Sequence, residues 1–264
     1  MTVTAEQPAT RLRRHLVASR LAGSVATAPE STLANCGKLI AGDERYTFGL
    51  SDWRSASFLQ AVEAVRQLCG GDPGGQDDLT GPGFIDPDIA MAAIEVHRRR
   101  LRALAEQGGG RVLLATGHPT GLLPHYGAIA RSLQDAGVQL LAPLDDQTIR
   151  VGGVTNRKLA VRFLDGVACV SDGGALRHSH RSDYMEAMLV ELGEDLPDLV
   201  VADHGMAGAA VEAGIPTLSI ADVNDPALML AQALGRTDAV LPIEDNVAPR
   251  LFVPVTERML DWPR

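Results

Sequence analysis

The residues of this sequence that could do chemistry share one kind of position, at or just after the end of a short apolar run. Four of the seven histidines and several carboxylates are placed in this way: His118, His178, His180, His204, Asp203, Asp222, Asp225, Glu244 and Asp245. Imidazoles and carboxylates together can transfer protons or bind a divalent cation. The sequence therefore predicts a polar site that is assembled from several distant segments of the chain.

His178 and His180 are the strongest metal-binding signal. Residues two apart in an extended segment share one face, so both imidazoles can point the same way. Such a pair can chelate a divalent cation such as Mg, Mn or Zn, with Asp203, His204 or Asp222 completing a mixed nitrogen and oxygen site. The alternative is that both histidines join Arg177 and Arg181 in an anion-binding patch without metal. We take His178, His180 and Asp222 as candidate metal ligands.

The pair Asp203-His204 suggests proton transfer. His204 is a candidate general acid or base, and Asp203 is a candidate catalytic carboxylate that orients it or binds metal. Neighbouring residues on a strand point to opposite faces, so the two act together only if the strand has already turned. His118 is the second candidate for the proton-transfer role. The alternative for Asp203 is a cap on the helix predicted to begin near Met206.

Asp222 and Asp225 follow another apolar run and are harder to separate. Asp225-Pro226 is typical of a helix N-cap that is followed by proline at the first helical position. We therefore expect Asp225 to cap a helix, and we keep Asp222 as the site residue.

The glycine-flanked turn at residues 117–121 opens a predicted helix. Free N–H groups and the positive end of the helix dipole favour a phosphate or a carboxylate at such a turn. The turn matches neither the Walker sequence nor G-x-G-x-x-G, so an ordinary strand-to-helix turn is the alternative. Together with a second glycine pair, it supplies our candidate substrate-binding residues: Gly117, Thr120, Gly121, Gly173 and Gly174.

Composition and motifs exclude several other classes of protein. The net charge of −9 repels phosphate backbones, so we expect no nucleic-acid partner. No apolar stretch reaches the ~18 residues that span a bilayer, so we expect no membrane partner. Three distant cysteines, Cys36, Cys69 and Cys169, encode neither a disulfide framework nor a zinc motif, and they fit a reducing cytoplasm. No G-x-S-x-G elbow supports a serine nucleophile.

The elements that must position these residues alternate after residue 110. Apolar runs predict strands at residues 112–116, 138–143, 159–164, 167–171, 199–202, 217–220 and 239–242. Between them, helices are predicted at residues 122–136, 182–192, 207–213 and 226–234. Asp165-Gly166 predicts a hairpin. This alternation predicts an α/β fold, a Rossmann-like three-layer sandwich with a mostly parallel sheet, over residues 111–264.

The first 110 residues predict a helical appendage. Helices are expected at residues 10–23, 55–68 and 88–107, and the Ser-, Gly- and Asp-rich stretch before residue 55 is expected to be a loop. Such an appendage could cap the carboxyl edge of the sheet and close over substrate, or it could form the dimerisation surface of a homo-oligomer. The sequence leaves both alternatives open.

Four segments carry a resemblance to known proteins: residues 115–121, 178–180, 201–205 and 221–226. There the chain resembles a group of actinobacterial proteins labelled as phosphatases, and the similarity extends over nearly its whole length. The resemblance implies hydrolysis of a phosphate ester, and it assigns a role to no individual residue.

The first hypothesis is therefore a cytoplasmic hydrolase that acts on a small phosphate ester. In it the turn at residues 117–121 holds the phosphate, a divalent metal bridges substrate and water, and His204 or His118 transfers the proton. One alternative is a non-catalytic binding protein for a phosphorylated or nucleotide-like metabolite. Another is a sugar-phosphate transferase or isomerase.

Overall fold

The fold is that of a computed structural model, which describes residues 7–75, 77–149 and 159–262. Parts of the two predicted regions, namely residues 1–6, 76, 150–158 and 263–264, lie outside it. The helices of the described residues are α1 (Pro8–Ala18), α2 (Pro29–Ile40), α3 (Glu44–Thr47), α4 (Phe58–Cys69), α5 (Pro87–Gln107), α6 (Pro119–Asp135), α7 (Asp183–Leu192), α8 (His204–Glu212), α9 (Pro226–Ala233) and α10 (Val253–Met259).

The strands fall into two sheets. They are β1 (Gly23–Val25), β2 (Gly83–Ile85), β3 (Arg111–Thr116), β4 (Gln139–Leu140), β5 (Thr148–Ile149), β6 (Leu159–Leu164), β7 (Val167–Ser171), β8 (Leu176–Arg177), β9 (Leu199–Asp203), β10 (Thr217–Ala221) and β11 (Val240–Pro242). β1 and β2 form a small antiparallel pair. Among the described residues, all other strands belong to one sheet of order β11-β10-β9-β3-β7-β6-β5, in which β4 also pairs with β3 and β8 with β7.

The large sheet is mixed around a parallel core. β11, β10, β9, β3 and β7 are mutually parallel, and β6, β5 and β8 run antiparallel to their neighbours. The α/β class is thus confirmed, as is the hairpin between β6 and β7 at Asp165-Gly166. Every residue of β7, β9 and β10 is buried, and strands covered on both faces are expected to be continuous apolar runs.

The helices of the first 110 residues pack onto the same core as the sheet. α4 contacts α9, and α5 contacts both β11 and α10. Leu16, Ile85 and Ile94 belong to one hydrophobic cluster with Leu113 and Leu218 of the sheet. Within the described residues, the hydrophobic core is continuous between the two predicted regions.

Helices α2, α3 and α10 are absent from the sequence prediction. The stretch before residue 55 was expected to be a loop, but Pro29–Ile40 is helical, with proline in its first turn and Cys36 and Leu39 buried. Ser, Thr, Asn and Gly give this segment a weak intrinsic helix propensity, so burial of its apolar face stabilises the helix instead.

The described helices are also too short or too polar to cross a lipid bilayer.

Candidate functional site

Loops at one edge of the large sheet bring the chemistry-bearing side chains together. The carboxyl ends of neighbouring parallel strands meet at the same edge, where open α/β sheets bind their ligands. His118 follows β3, Asp203 and His204 join β9 to α8, Asp225 precedes α9, and Asp245 follows β11. The four strands are direct neighbours in the order β11-β10-β9-β3. Residues up to 127 positions apart in sequence therefore share one location.

Four histidine rings form an imidazole cluster at this edge. His118 stacks on His178, with ring centroids 4.5 Å apart and planes 5° apart. His180 stacks on His204 at 4.5 Å and 13°. His178 lies 5.2 Å from His204 and 4.9 Å from His180, centroid to centroid. The structure thus brings together all four histidines that follow the apolar runs.

His178 and His180 bring one ring nitrogen each close to the other. Their Nε2 atoms lie 3.1 Å apart, and His180 Nδ1 lies 3.2 Å from the carbonyl oxygen of Arg45. Because a carbonyl only accepts, His180 Nδ1 donates and its Nε2 keeps a lone pair in the neutral ring. Partial burial and the neighbouring imidazoles lower the pKa of His178 to about 4 and that of His180 to about 3. In the neutral pair, His178 Nε2–H donates to His180 Nε2, and a bound cation would replace this proton, since metal binding releases protons from its ligands.

Asp203 is fully buried and orients His204. Its Oδ2 accepts from the Thr116 hydroxyl at 2.6 Å, and its Oδ1 accepts from the Gly117 N–H at 2.5 Å. Asp203 Oδ1 also lies 3.2 Å from His204 Nδ1. The chain turns sharply at His204, whose φ is 45°, and this left-handed conformation lets two adjacent residues face each other. The alternative role of Asp203 as a side-chain cap of α8 is wrong, since it makes no capping hydrogen bond.

The second ring nitrogen of His204 faces two further carboxylates. His204 Nε2 lies 3.6 Å from Asp225 Oδ2 and 3.6 Å from Asp245 Oδ2. Burial alone would lower the pKa of His204, but the carboxylates of Asp225, Asp203 and Asp245 outweigh it and raise the pKa to about 10. With Nδ1 donating to Asp203, Nε2 is the atom of His204 that is directed into the site.

Asp225 corrects the sequence interpretation. It does occupy the N-cap position of α9, but its side chain makes no capping hydrogen bond. Its Oδ2 instead accepts from the backbone N–H of Asp222 at 3.0 Å and lies next to His204. Burial is the main cause that raises the pKa of Asp225 to about 7. Asp225-Pro226 therefore has the sequence of a cap while its carboxylate belongs to the cluster.

His118 and Asp245 hold buried polar atoms without partners. His118 Nδ1 lies 3.3 Å from Asp245 Oδ2, but within the described residues neither atom meets the geometry of a hydrogen bond. Both side chains are only 6% exposed. Buried polar atoms normally have partners, so this pair marks a place where the protein alone leaves its hydrogen-bonding capacity unfilled.

Asp222 is buried beside hydrogen-bond donors from the N-terminal region. Its Oδ2 accepts from the Thr27 hydroxyl at 2.7 Å, and its Oδ1 accepts from the Val223 N–H at 2.6 Å. Glu244 Oε2 accepts from the N–H groups of Ala26 and Thr27 at 3.1 and 3.2 Å. Burial and then the charge of Glu244 raise the pKa of Asp222 well above its usual range.

The glycine turn at residues 117–121 serves close packing. A Cβ on Gly117 would lie 2.3 Å from the Ser179 carbonyl oxygen, and one on Gly121 would lie 2.5 Å from that of Asp245. The N–H of Gly117 donates to Asp203, and that of Gly121 donates to the His118 carbonyl. These contacts hold the loops of the cluster against one another.

Three more of the predicted substrate-binding residues lie outside these contacts. Thr120 is exposed in the first turn of α6. Gly173 and Gly174 form the turn between β7 and β8, where their N–H groups donate to Ser171 Oγ and Asp172 Oδ1. Among the described residues, no hydrogen bond, ion pair or ring contact joins these three to the imidazole cluster.

An open pocket of about 420 Å³ lies beside the imidazole cluster. Arginine and tyrosine side chains form much of its lining: Arg45, Tyr46, Arg177, Arg181 and Tyr184. Arg177 pairs with Asp172, and Arg181 Nε lies 2.7 Å from Asp183 Oδ2. The two guanidinium groups are thus held in place at the pocket beside the cluster.

Sequence reasoning placed Asp245 after an apolar run but gave it no role, and it missed Phe48 as a site residue. Asp245 lies three residues beyond the end of β11, at the edge where the other site residues follow their strands. Phe48 packs edge-on against His180 and His204, with both centroid distances at 5.5 Å. It lies in a segment read as loop, and no spacing in the sequence connects it to histidines more than 130 positions away.

The donor atoms of the cluster fit a divalent cation. Three groups each place their ligand atoms within 4.8 Å of one another: His178, His180 and His204; His204, Asp225 and Asp245; Asp222, Glu244 and Asp245. Imidazole nitrogen suits Zn and its neighbours, while carboxylate oxygen suits Mg and Mn. The unpartnered His118 Nδ1 and Asp245 Oδ2 support the same interpretation.

Fold and site together define a class: α/β proteins with a histidine and carboxylate cluster at the carboxyl edge of a largely parallel sheet. The family model described as Phosphatase matches residues 7–263, and the chain belongs to this family. A Streptomyces coelicolor protein named as a phosphatase is 40% identical over 256 residues, which cover 94% of this chain and 94% of that protein. The expected resemblance to actinobacterial phosphatases is thereby confirmed.

Proposed function

We propose that this protein is a metal-dependent hydrolase that releases phosphate from a small phosphate ester. The observation that carries the proposal is the convergence of four imidazoles with Asp225 and Asp245 at the edge of the sheet where ligands bind. Membership of the phosphatase family supports the reaction class. The large sheet supports a Rossmann-like three-layer arrangement, in which loops of several strands build one site.

The candidate metal ligands follow from the positions of the ring nitrogens and carboxylate oxygens. His178 and His180 would hold a divalent cation through their facing Nε2 atoms, with His204 Nε2 or a carboxylate completing the set. Asp203 fixes the tautomer of His204 by accepting from its Nδ1, as carboxylates behind metal-bound histidines commonly do. When bound, a divalent cation supplies charge stabilisation at the phosphoryl oxygens and activates water.

His118 is our choice for proton transfer. His204 Nδ1 is held by Asp203 and its Nε2 is a candidate metal ligand, whereas His118 Nδ1 makes no hydrogen bond with a described residue and lies 3.3 Å from Asp245 Oδ2. His118 stacks on His178, which is one of the proposed metal ligands, and therefore lies next to the proposed cation. A general acid here protonates the alcohol oxygen that leaves phosphorus, a role that histidine fills in many enzymes.

The phosphate ester itself fits the pocket beside the cluster. Guanidinium groups bind phosphate oxygens in pairs, and Arg177 and Arg181 are held at the lining of this pocket. Each guanidinium uses Nε and Nη2 on its neighbouring carboxylate, which leaves Nη1 for a phosphate oxygen, whereas the single N–H groups of Gly117 and Gly121 are used entirely within the protein. We therefore transfer the phosphate-binding role from that turn to the arginines.

We further propose that the first 110 residues act as the cap over the carboxyl edge rather than as a dimerisation surface. Phe48 packs on two rings of the imidazole cluster, and Thr27 donates to Asp222. A cap in this position excludes water from the reacting groups and strengthens their electrostatic interactions.

Phosphate release from a panel of phosphomonoesters tests the function. The purified protein is assayed after EDTA treatment and again after addition of Zn²⁺, Mn²⁺ or Mg²⁺. We expect release that requires an added cation and that is lost in His178→Gln. Absence of phosphate release with every cation and every ester would contradict the proposal.

A further inference from the structure

We infer that the site binds two divalent cations side by side: a nitrogen site of His178, His180 and His204, and an oxygen site of Asp222, Glu244 and Asp245. The catalytic role of the second cation rests on the proposed function, whereas its binding does not. The two sets of ligands share no residue, so both can be filled at once.

The spacing of the ligand atoms matches each site. Ligand atoms about 2.0–2.1 Å from a tetrahedral cation lie roughly 3.3 Å from one another. His178 Nε2 and His180 Nε2 are 3.1 Å apart, which is already close to that value. The three carboxylate atoms of the oxygen site lie within 4.8 Å of one another, within the looser spacing that oxygen-ligated cations accept.

The linking residues make the two sites adjacent. His204 of the nitrogen site and Asp245 of the oxygen site approach to 3.6 Å, and Asp225 lies 3.6 Å from the same His204 atom. These three residues form a ligand group of their own. Two cations so linked resemble the paired ions, about 3.5–4 Å apart, that stabilise the attacking and leaving oxygens of a phosphoryl group.

The charge of the buried groups is the independent argument for the second cation. Five carboxylates at the site are buried: Asp203, Asp222, Asp225, Glu244 and Asp245. No lysine or arginine of the described residues forms an ion pair with any of them. Buried charges are normally paired or bound to a metal, so carboxylates without a cationic side chain around Asp222 and Glu244 provide a place for a second cation.

An orphaned atom belongs to one ligand of the oxygen site. Asp245 Oδ2 is buried, makes no hydrogen bond, and is the oxygen that approaches both His204 and His118. Asp222 and Glu244 are held from behind by Thr27 and by backbone N–H groups. This arrangement leaves lone pairs of rigidly oriented carboxylates available to a cation.

The donor types predict different preferences for the two sites. A set of three imidazoles favours Zn²⁺, and a set of three carboxylates favours Mn²⁺ or Mg²⁺. The expected loaded form therefore contains one Zn²⁺ and one Mn²⁺ when both ions are supplied together.

Metal content is the test. The EDTA-treated protein is loaded with Zn²⁺ and Mn²⁺, desalted and analysed by mass spectrometry of the elements, with isothermal titration of each ion in parallel. We expect two cations per chain in the wild type. The double variant His178→Gln/His180→Gln should lose Zn²⁺ and keep Mn²⁺, and Glu244→Gln should do the reverse. His125→Gln, a buried histidine outside the site, is the matched control and should keep both.

One cation per chain in the wild type would overturn the inference, even if a variant failed to fold. Loss of the same ion in both variants would also overturn it. Phosphate release from the same samples separates the two claims. Activity with a single bound cation would refute the second site and retain the proposed function. Two bound cations without phosphate release from any ester would uphold this inference and refute the function.

Discussion

Two groups of histidines in this protein differ in their partners more than in their burial. His97 Nε2 lies 2.8 Å from the Ala239 carbonyl oxygen, and His125 Nδ1 lies 2.7 Å from the Thr256 hydroxyl. Burial lowers the pKa of His97 to about 4 and that of His125 to about 3. Both are neutral rings, each fixed by a neutral hydrogen-bond partner.

The imidazole cluster is built in another way. Its rings contact one another, and His204 and His118 face carboxylates of the site. There Asp203, Asp225 and Asp245 reverse the effect of burial on the pKa of His204. The difference teaches that a neutral hydrogen-bond partner marks a structural histidine, whereas neighbouring carboxylates and unpaired ring nitrogens mark a chemical one. Each of the following changes tests that distinction.

The largest effect is expected from His204→Gln. Gln cannot reproduce the ring that joins Asp203 to Asp225 and Asp245, so kcat/KM for phosphate release should fall by about 10³-fold or more. The matched control His125→Gln should change kcat/KM less than about threefold while it lowers the melting temperature. Steady-state assays and thermal unfolding of both variants provide the comparison. Equal losses of activity in the two variants would remove the distinction.

His118→Asn should show a loss that depends on the leaving group. A general acid contributes about 10²–10⁴-fold when the leaving alcohol needs a proton. For an alkyl phosphate we expect kcat to fall by about 10²-fold, and for p-nitrophenyl phosphate by less than about tenfold. The measurement is kcat for both esters in the wild type and the variant. A uniform loss on both esters would assign His118 to structure or metal binding.

A smaller effect is expected for Arg177→Gln at the pocket. Removal of one charge-assisted contact to phosphate should raise KM by about tenfold with little change in kcat. Arg131→Gln, which removes an exposed ion pair with Asp165, is the matched control. An unchanged KM in the pocket variant would move the phosphate elsewhere.

The smallest effect concerns the pH dependence of stability through His97. Its pKa is about 4 in the folded protein and about 6.5 in the unfolded chain, so the unfolded state binds the proton first as pH falls. The stability from this group is present above pH 6.5 and is lost between about pH 6.5 and 4, by up to about 1.4 kcal/mol per pH unit.

His97→Gln should flatten that part of the profile. Gln has no proton to gain, so the melting temperature of the variant should fall less than that of the wild type between pH 7 and pH 5. Thermal unfolding at half-unit pH steps measures the difference. Parallel profiles would show that His97 does not titrate as a buried neutral ring.

The sequence allowed much of the sheet and of the imidazole cluster to be predicted. Buried parallel strands are continuous apolar runs, and the residues after them must meet at one edge. This reasoning located the four histidines, Asp203 and Asp222 without any knowledge of contacts. It also indicated the hairpin at Asp165-Gly166, because that dipeptide is typical of tight turns.

Two features could not be predicted from the local sequence pattern. Asp225 before proline has the composition of a helix cap, and only its contact with the Asp222 N–H and His204 reveals another role. The helix Pro29–Ile40 has weak propensity and depends on packing against the rest of the fold. Both depend on tertiary contacts between residues far apart in sequence.

The most direct test of the central claim joins cation binding to catalysis in one titration. Zn²⁺ or Mn²⁺ is added stepwise to the EDTA-treated wild type and to His178→Gln/His180→Gln, and bound cation and phosphate release are measured on each sample. The account predicts no release without cation, a rise in release that follows occupancy in the wild type, and none in the variant. Equal release before and after removal of the cation would contradict it.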